Sequence, residues 1–327
     1  MTAPTTPPEA PAAIGVDVGG HGLKCVLVDA EGRLVAERVE TLDSEDERAI
    51  ELVEARLLRC VEALTAQAGS SALACGVGIP GFLQGSPKLL RSSPNFPGWE
   101  NLAVEERLGD LLGRDVVVEN DANCAVLGEV WRGAARGCDD VLLLTLGTGV
   151  GTGAIVGGRL LRGARGLGPE GGHIALYPGG RRCGCGQRGC LEAYASGPGL
   201  AQTAEEAWCE EGLSGACPAG TALEVFEAEA EAGGPSPEHW ASRALERYCI
   251  DLAQGIAGLV HLLAPEVVVL GGGISGAFRR ISGPIEDELR RRCIPAFIEG
   301  GLSLRPAELG DLSGAFGAAA WALAPRA

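Results

Sequence analysis

Three thiols and an imidazole lie close together in the chain. Cys183, Cys185 and Cys190 fall within eight residues, spaced by Gly184, Gly186 and Gly189, and His173 stands ten residues before the first of them. Three thiolates and one imidazole make a full tetrahedral set for an ion such as zinc. Protein would fill all four positions, so such an ion is expected to brace a loop rather than activate water. The competing reading is a loop of unligated thiols. Glu170, three residues before His173, and Glu192, two after Cys190, flank the set. They are expected to be oriented by it; otherwise they are ordinary solvated carboxylates.

A second group is Glu119-Asn120-Asp121-Ala122-Asn123, at a junction that reads as strand then helix. Asp121 is either an N-cap or a general base. Phosphoryl transfer to an alcohol needs a positioned carboxylate to take the hydroxyl proton. Asp17-Val18-Gly19-Gly20 ends another strand. A carboxylate there can hold Mg²⁺ or its waters, and the glycines let backbone N–H groups approach phosphate oxygens; a plain hairpin is the alternative. Gly147-Thr148-Gly149 repeats the device, and Gly271-Gly272-Gly273 follows a valine-rich strand and suits close approach of a nucleoside. Neither a P-loop nor a Rossmann fingerprint is present.

The elements that must position these residues read as α/β. Strands are predicted at 12–18, 23–29 and 33–39, joined by tight turns as a meander. A helix is predicted over 44–68, capped by Asp43 or Ser44, with Ile50, Val53, Leu57, Val61 and Leu64 on one face. Strand 73–79, helix 104–112, strand 115–118 and a helix from Asp121 to about Trp131 follow. The pattern then restarts: strand 140–146, a glycine turn 147–153, strands 154–156 and 159–162. Helices are predicted over 199–211, 221–232, 237–263, 284–292 and 312–324, with strands at 266–270 and 302–305. Two halves that each open with strand, glycine turn and strand imply an internal duplication. Duplicated α/β halves usually place the ligand in the cleft between them.

Composition bounds the remaining possibilities. The 327 residues contain 46% hydrophobic and 21% charged residues, too apolar for a disordered chain. With 51 glycines, many tight turns and close approaches to a ligand are expected. The net charge of −16 repels polyphosphate backbones, so no nucleic-acid partner is expected, although basic residues gather at 159–165 and 181–188. The first dozen residues lack the basic and apolar regions of a signal peptide and read as the loose tail of a cytoplasmic protein. The uncharged run 141–158 is long enough to suggest a membrane span, but its glycines and threonines fit strand, turn and strand better, so no membrane partner is expected. Nine further cysteines are scattered and read as small hydrophobes.

Taken in order, GVDVGG, SPNFPGW, ENDANCA, TLGTGVGTG, LLRGARGLGPEGGH, CGCGQRGCLEAYAS and VVLGGGIS resemble the ROK family of sugar kinases and repressors, from about Ile14 to Ala320. The resemblance implies a duplicated, actin-like (ribonuclease H-like), hexokinase-type fold with a central cleft. Its lobes would be 13–119, completed by a C-terminal helix in 311–327, and 120–310 with the metal loop, after a tail over 1–12. It implies ATP- and Mg²⁺-dependent phosphorylation of a hexose 6-hydroxyl, glucose foremost, with N-acetylmannosamine, N-acetylglucosamine, fructose and allose as alternatives. Asp121 matches the catalytic base. Asn120, Glu170, His173 and Glu192 match sugar ligands, and Asn95 lies in a loop near the sugar. Asp17, Gly19, Gly20, Lys24, Gly147, Thr148, Gly149 and Gly271 to Gly273 match the nucleotide and phosphate contacts. His173, Cys183, Cys185 and Cys190 match a structural zinc site, whose imidazole would turn its other nitrogen to a sugar hydroxyl. A homodimer or homotetramer is implied. The first loop departs from the family's GGT: it reads Gly19-Gly20-His21-Gly22-Leu23-Lys24, lacks the hydroxyl, and has the spacing of polyphosphate-using glucokinases. Pro169-Glu170-Gly171-Gly172-His173 departs from GEIGH but keeps the Glu-to-His spacing. The rivals are a sugar-sensing repressor, which would carry a DNA-binding domain upstream, and a catalytically inactive sugar-binding protein.

Overall fold

The computed structural model describes residues 11–42, 44, 46–70, 73–93, 96 and 98–324. In chain order these form β1 (Pro11–Gly19), β2 (Gly22–Asp29), β3 (Leu34–Thr41), α1 (Ile50–Ala68), β4 (Ala74–Ile79), β5 (Leu83–Gln84), β6 (Leu89–Ser92), β7 (Glu100–Leu102), α2 (Val104–Leu112), β8 (Val117–Asn120) and α3 (Asp121–Arg132). The second half continues with β9 (Val141–Leu146), β10 (Val150–Val156), β11 (Arg159–Leu160), α4 (Glu192–Ala195), α5 (Gly197–Glu210), α6 (Ala222–Glu231) and α7 (Trp240–Leu263). It closes with β12 (Val267–Gly271), α8 (Phe278–Arg292), α9 (Pro295–Glu299), β13 (Ser303–Pro306) and α10 (Ser313–Leu323).

The duplication is visible in the sheets. One has the order β3-β2-β1-β4-β8 and the other β11-β10-β9-β12-β13. In each, an antiparallel meander is extended by two later strands that run parallel to its first strand. Each sheet has its own core. Ile14, Val16 and Leu23 pack with Val53, Leu57, Val61 and Leu64 of α1, the face predicted for that helix. Leu142, Leu144, Val268 and Leu270 pack with Leu252, Ile256 and Val260 of α7. A small third sheet, β5-β6-β7, was not foreseen because its strands are only two to four residues long.

Helices α3 and α10 pack on each other, α10 against β1 and β4, α3 against β9 and β10. This contact accounts for several of the glycines. A Cβ on Gly15 would stand 1.9 Å from the Ala315 carbonyl oxygen, one on Gly76 1.9 Å from that of Ala318, and one on Gly317 1.6 Å from that of Cys124. Some glycines therefore serve helix packing, beside the many with positive φ that serve turns. The same cause corrects the second glycine turn, which ends at Gly149 rather than 153. Gly151 and Gly153 lie inside β10, where a Cβ would strike Thr145 Oγ1 and the Ala122 carbonyl of α3.

Other boundaries also differ. α1 begins at Ile50, after a 3₁₀ turn at Asp46–Arg48, with Ala49 at its N-cap and not Ser44; Asp43 lies outside the described residues. α8 begins at Phe278 and carries Pro284 within it, so this proline does not start the helix. No helix among the described residues is long and apolar enough to cross a membrane; the uncharged run forms β9, its turn and β10.

Candidate active site

The first turn of α3 gathers much of the chemistry. Asn120, extended at φ −64° and ψ 145°, is the N-cap: its Oδ1 accepts from the N–H groups of Ala122 at 3.0 Å and Asn123 at 3.1 Å. Asp121 is therefore the first helical residue, not the cap. Its Oδ1 accepts the Ala122 N–H at 2.9 Å, and the positive end of the helix favours a carboxylate there. Burial raises the Asp121 pKa, against hydrogen bonds from Ala122, its own N–H and Asn120. Asn120 Nδ2 donates to the Gly81 carbonyl at 3.3 Å, so capping and this contact already engage the side chain expected to meet sugar.

Glu119 sits directly behind, fully buried. Its Oε1 accepts from Asn120 N–H at 3.0 Å and Asn123 Nδ2 at 3.1 Å. Lys88 Nζ lies 3.2 Å and Arg162 3.7 Å from its Oε2. Glu105 holds the same region by accepting the N–H groups of Lys88 and Val118. The sequence carried no signal linking Lys88 or Arg162 to Glu119, since only the fold brings their loops to it.

Asp17 pairs across strands with Lys24 and Gly78. A Cβ on Gly314, at the start of α10, would meet its carboxylate at 2.6–2.8 Å. Burial first, then the charge of Asp121, pushes Asp17 up to about 7, with Lys24 acting in the opposite sense. Lys24 is held by Asp311 at 3.3 Å. Gly19 and Gly22 close the β1–β2 hairpin, and Arg48 donates to the Gly20 carbonyl at 3.1 Å. The second turn is pinned by Gly147 N–H to the Gly149 carbonyl at 3.0 Å, with Thr148 at its tip, and by Gly197 N–H to the Gly147 carbonyl at 2.8 Å. The third turn lies beside it. β9 and β12 are parallel, with Gly271 opposite Thr145, and Gly272 adopts φ 80° so close to Leu146 that a Cβ would stand 2.5 Å from its carbonyl oxygen. Gly273 opens a 3₁₀ turn leading to α8.

The metal-type set assembles. Ligand atoms of His173, Cys183, Cys185 and Cys190 all lie within 4.8 Å of one another. Cys183 Sγ is 3.7 Å from His173 Nδ1, and Cys185 Sγ is 3.7 Å from Cys190 Sγ. A tetrahedral ion with arms of about 2.0–2.3 Å has edges of about 3.3–3.8 Å, so the donor set fits. Since Nδ1 faces the thiols, Nε2 is left toward Glu170 Oε2 at 4.0 Å. The Glu170 side chain remains 43% exposed, and partial desolvation, then the charges of Asp121 and Glu192, raise it to about 7. Glu192 accepts the Val150 N–H at 3.0 Å and the Cys183 thiol at 3.3 Å. A pocket is lined by Gly81, Phe82, Asn120, Asn123, Pro169 and Glu170 among others. Asn95 lies outside the described residues.

Fold and site together have the form of a two-sheet phosphotransferase whose loop carries a possible four-donor metal set. Residues 13–324 match the ROK family, and the chain belongs to it. It is 36% identical to a glucokinase of Thermotoga maritima over 87% of this chain and 89% of that one. It is 33% identical to an N-acetyl-D-glucosamine kinase of Pectobacterium atrosepticum over 93% and 97%. The structure of a ROK family glucokinase from Streptomyces griseus in complex with glucose and AMPPNP superimposes with a TM-score of 0.77 at 32% identity, covering 94% of this chain and 97% of that chain.

Proposed function

We propose that the chain is a glucokinase that transfers the γ-phosphoryl group of ATP to the 6-hydroxyl of glucose. The observation that carries this is the position of Asp121, a half-buried carboxylate at the start of α3, close enough to Asp17 and Glu170 for its charge to raise both. Similarity to a glucose- and AMPPNP-bound family member supports it.

In this reading the 6-hydroxyl gives its proton to Asp121 as its oxygen forms the new bond to phosphorus and the bond from the γ-phosphorus to the bridging oxygen breaks, releasing ADP. A raised pKa makes Asp121 a stronger base for that proton. The glycine turns of β1–β2 and β9–β10 offer N–H groups to the phosphates, and Gly271 to Gly273 approach the nucleoside. Mg²⁺, when bound beside Asp17, supplies charge neutralisation at the phosphates. Asn120, Glu170, His173 and Glu192 hold the sugar. His173, Cys183, Cys185 and Cys190 would hold zinc, which would fix the loop. The lobes 13–119 with α10 and 120–310 close to exclude water and limit ATP hydrolysis.

The test is a coupled assay with ATP and Mg²⁺ over a panel of glucose, N-acetylglucosamine, N-acetylmannosamine, fructose and allose, repeated with polyphosphate. Glucose with ATP should give the highest kcat/KM. Turnover of none of these sugars would refute the proposal.

A further inference from the structure

Asn123 is only 2% exposed, yet its Oδ1 is buried without a hydrogen-bond partner. A buried amide oxygen left alone is costly, and such an atom in a native structure calls for an explanation. Its orientation is settled by chemistry. Glu119, paired with the Lys88 ammonium at 3.2 Å, offers only acceptors to Asn123, so the amide must turn its Nδ2 toward Glu119 Oε1, as the 3.1 Å contact shows. The Oδ1 is then the atom left over, on a residue that lines the pocket together with Gly81, Phe82 and Glu170.

We propose that Asn123 is a further sugar-binding residue, its carbonyl oxygen accepting a hydrogen bond from one substrate hydroxyl, and that the buried Lys88–Glu119 pair fixes it in that orientation. The inference rests on reading this pocket as the hexose site. Sugar hydroxyls are donors as well as acceptors, and the carboxylates of Asp121 and Glu170 also call for donors. Asn123 adds a neutral acceptor, fixed by a buried ion pair rather than by the substrate, so that hydroxyl pays no cost for turning the amide.

The test is a cycle of calorimetric titrations on zinc-loaded protein without nucleotide. Glucose and a set of monodeoxy-glucoses are titrated into wild type and Asn123→Leu, which keeps shape and removes the amide. The variant should bind glucose about tenfold more weakly. One deoxy sugar should lose affinity in wild type but bind both proteins alike, which names the hydroxyl. Asn123→Ala runs the same cycle should the leucine variant not fold. A folded variant that binds glucose within twofold of wild type, or a set in which every deoxy sugar loses the same factor from both proteins, would overturn the proposal. Wild type that binds no glucose would instead overturn the reading of the pocket.

Discussion

Glu192 joins Cys183 to the second glycine turn. One of its oxygens lies 3.3 Å from the Cys183 sulfur and the other accepts the Val150 N–H at 3.0 Å. A Cβ on Gly149 would stand 2.5 Å from the same carboxylate. A loop that carries a possible four-donor metal set is thereby tied to a loop proposed to hold phosphate.

Metal removal should thus reach both substrates. Chelated protein is expected to bind glucose about tenfold more weakly and to show a raised KM for ATP, with restoration by zinc. Unchanged KM values for both in verified metal-free protein would break the link.

Asp17 sets a pH dependence of stability. Its pKa is raised to about 7 in the fold against about 3.9 unfolded, so the native state binds more protons than the unfolded state between those values. Stability from this group is full below about pH 4 and falls as pH rises toward 7. Nucleotide-free Asp17→Asn should therefore melt near the wild-type temperature at pH 4 and several degrees above it at pH 8. Equal melting curves at pH 8 would contradict the burial argument.

The packing of α3 on α10 allows a paired test. Gly317→Ala must displace the Cys124 carbonyl, 1.6 Å from the new Cβ, and is expected to cost about 1–3 kcal/mol or to prevent folding. Gly258→Ala, on the exposed side of α7 with nothing within 4 Å, should stabilise by about 0.5–1 kcal/mol. Denaturant titration measures both.

Local patterns were readable where the physics is local. The apolar spacing of α1, the paired strand-turn-strand openings and the cysteine spacing each depend on a short stretch of chain, and each appears in the structure. What depended on distant partners was not readable. Gly151 and Gly153 look like turn residues until Thr145 and α3 are seen beside them. Pro284 looks like a helix start until α8 is seen to run through it. Asp121 and Asn120 are neighbours with the same capping chemistry, and only the backbone shows that Asn120 takes the cap. Lys88, 31 residues from Glu119 in sequence, and Arg162 reach that carboxylate only through the fold.

The most direct test of the assignment is the rate of ATP-dependent glucose phosphorylation by Asp121→Asn beside wild type, with glucose affinity measured on the same samples. The expected result is a kcat lower by about 10²–10⁴, with glucose affinity within about threefold. A variant that keeps wild-type turnover would contradict the role of Asp121 as the base.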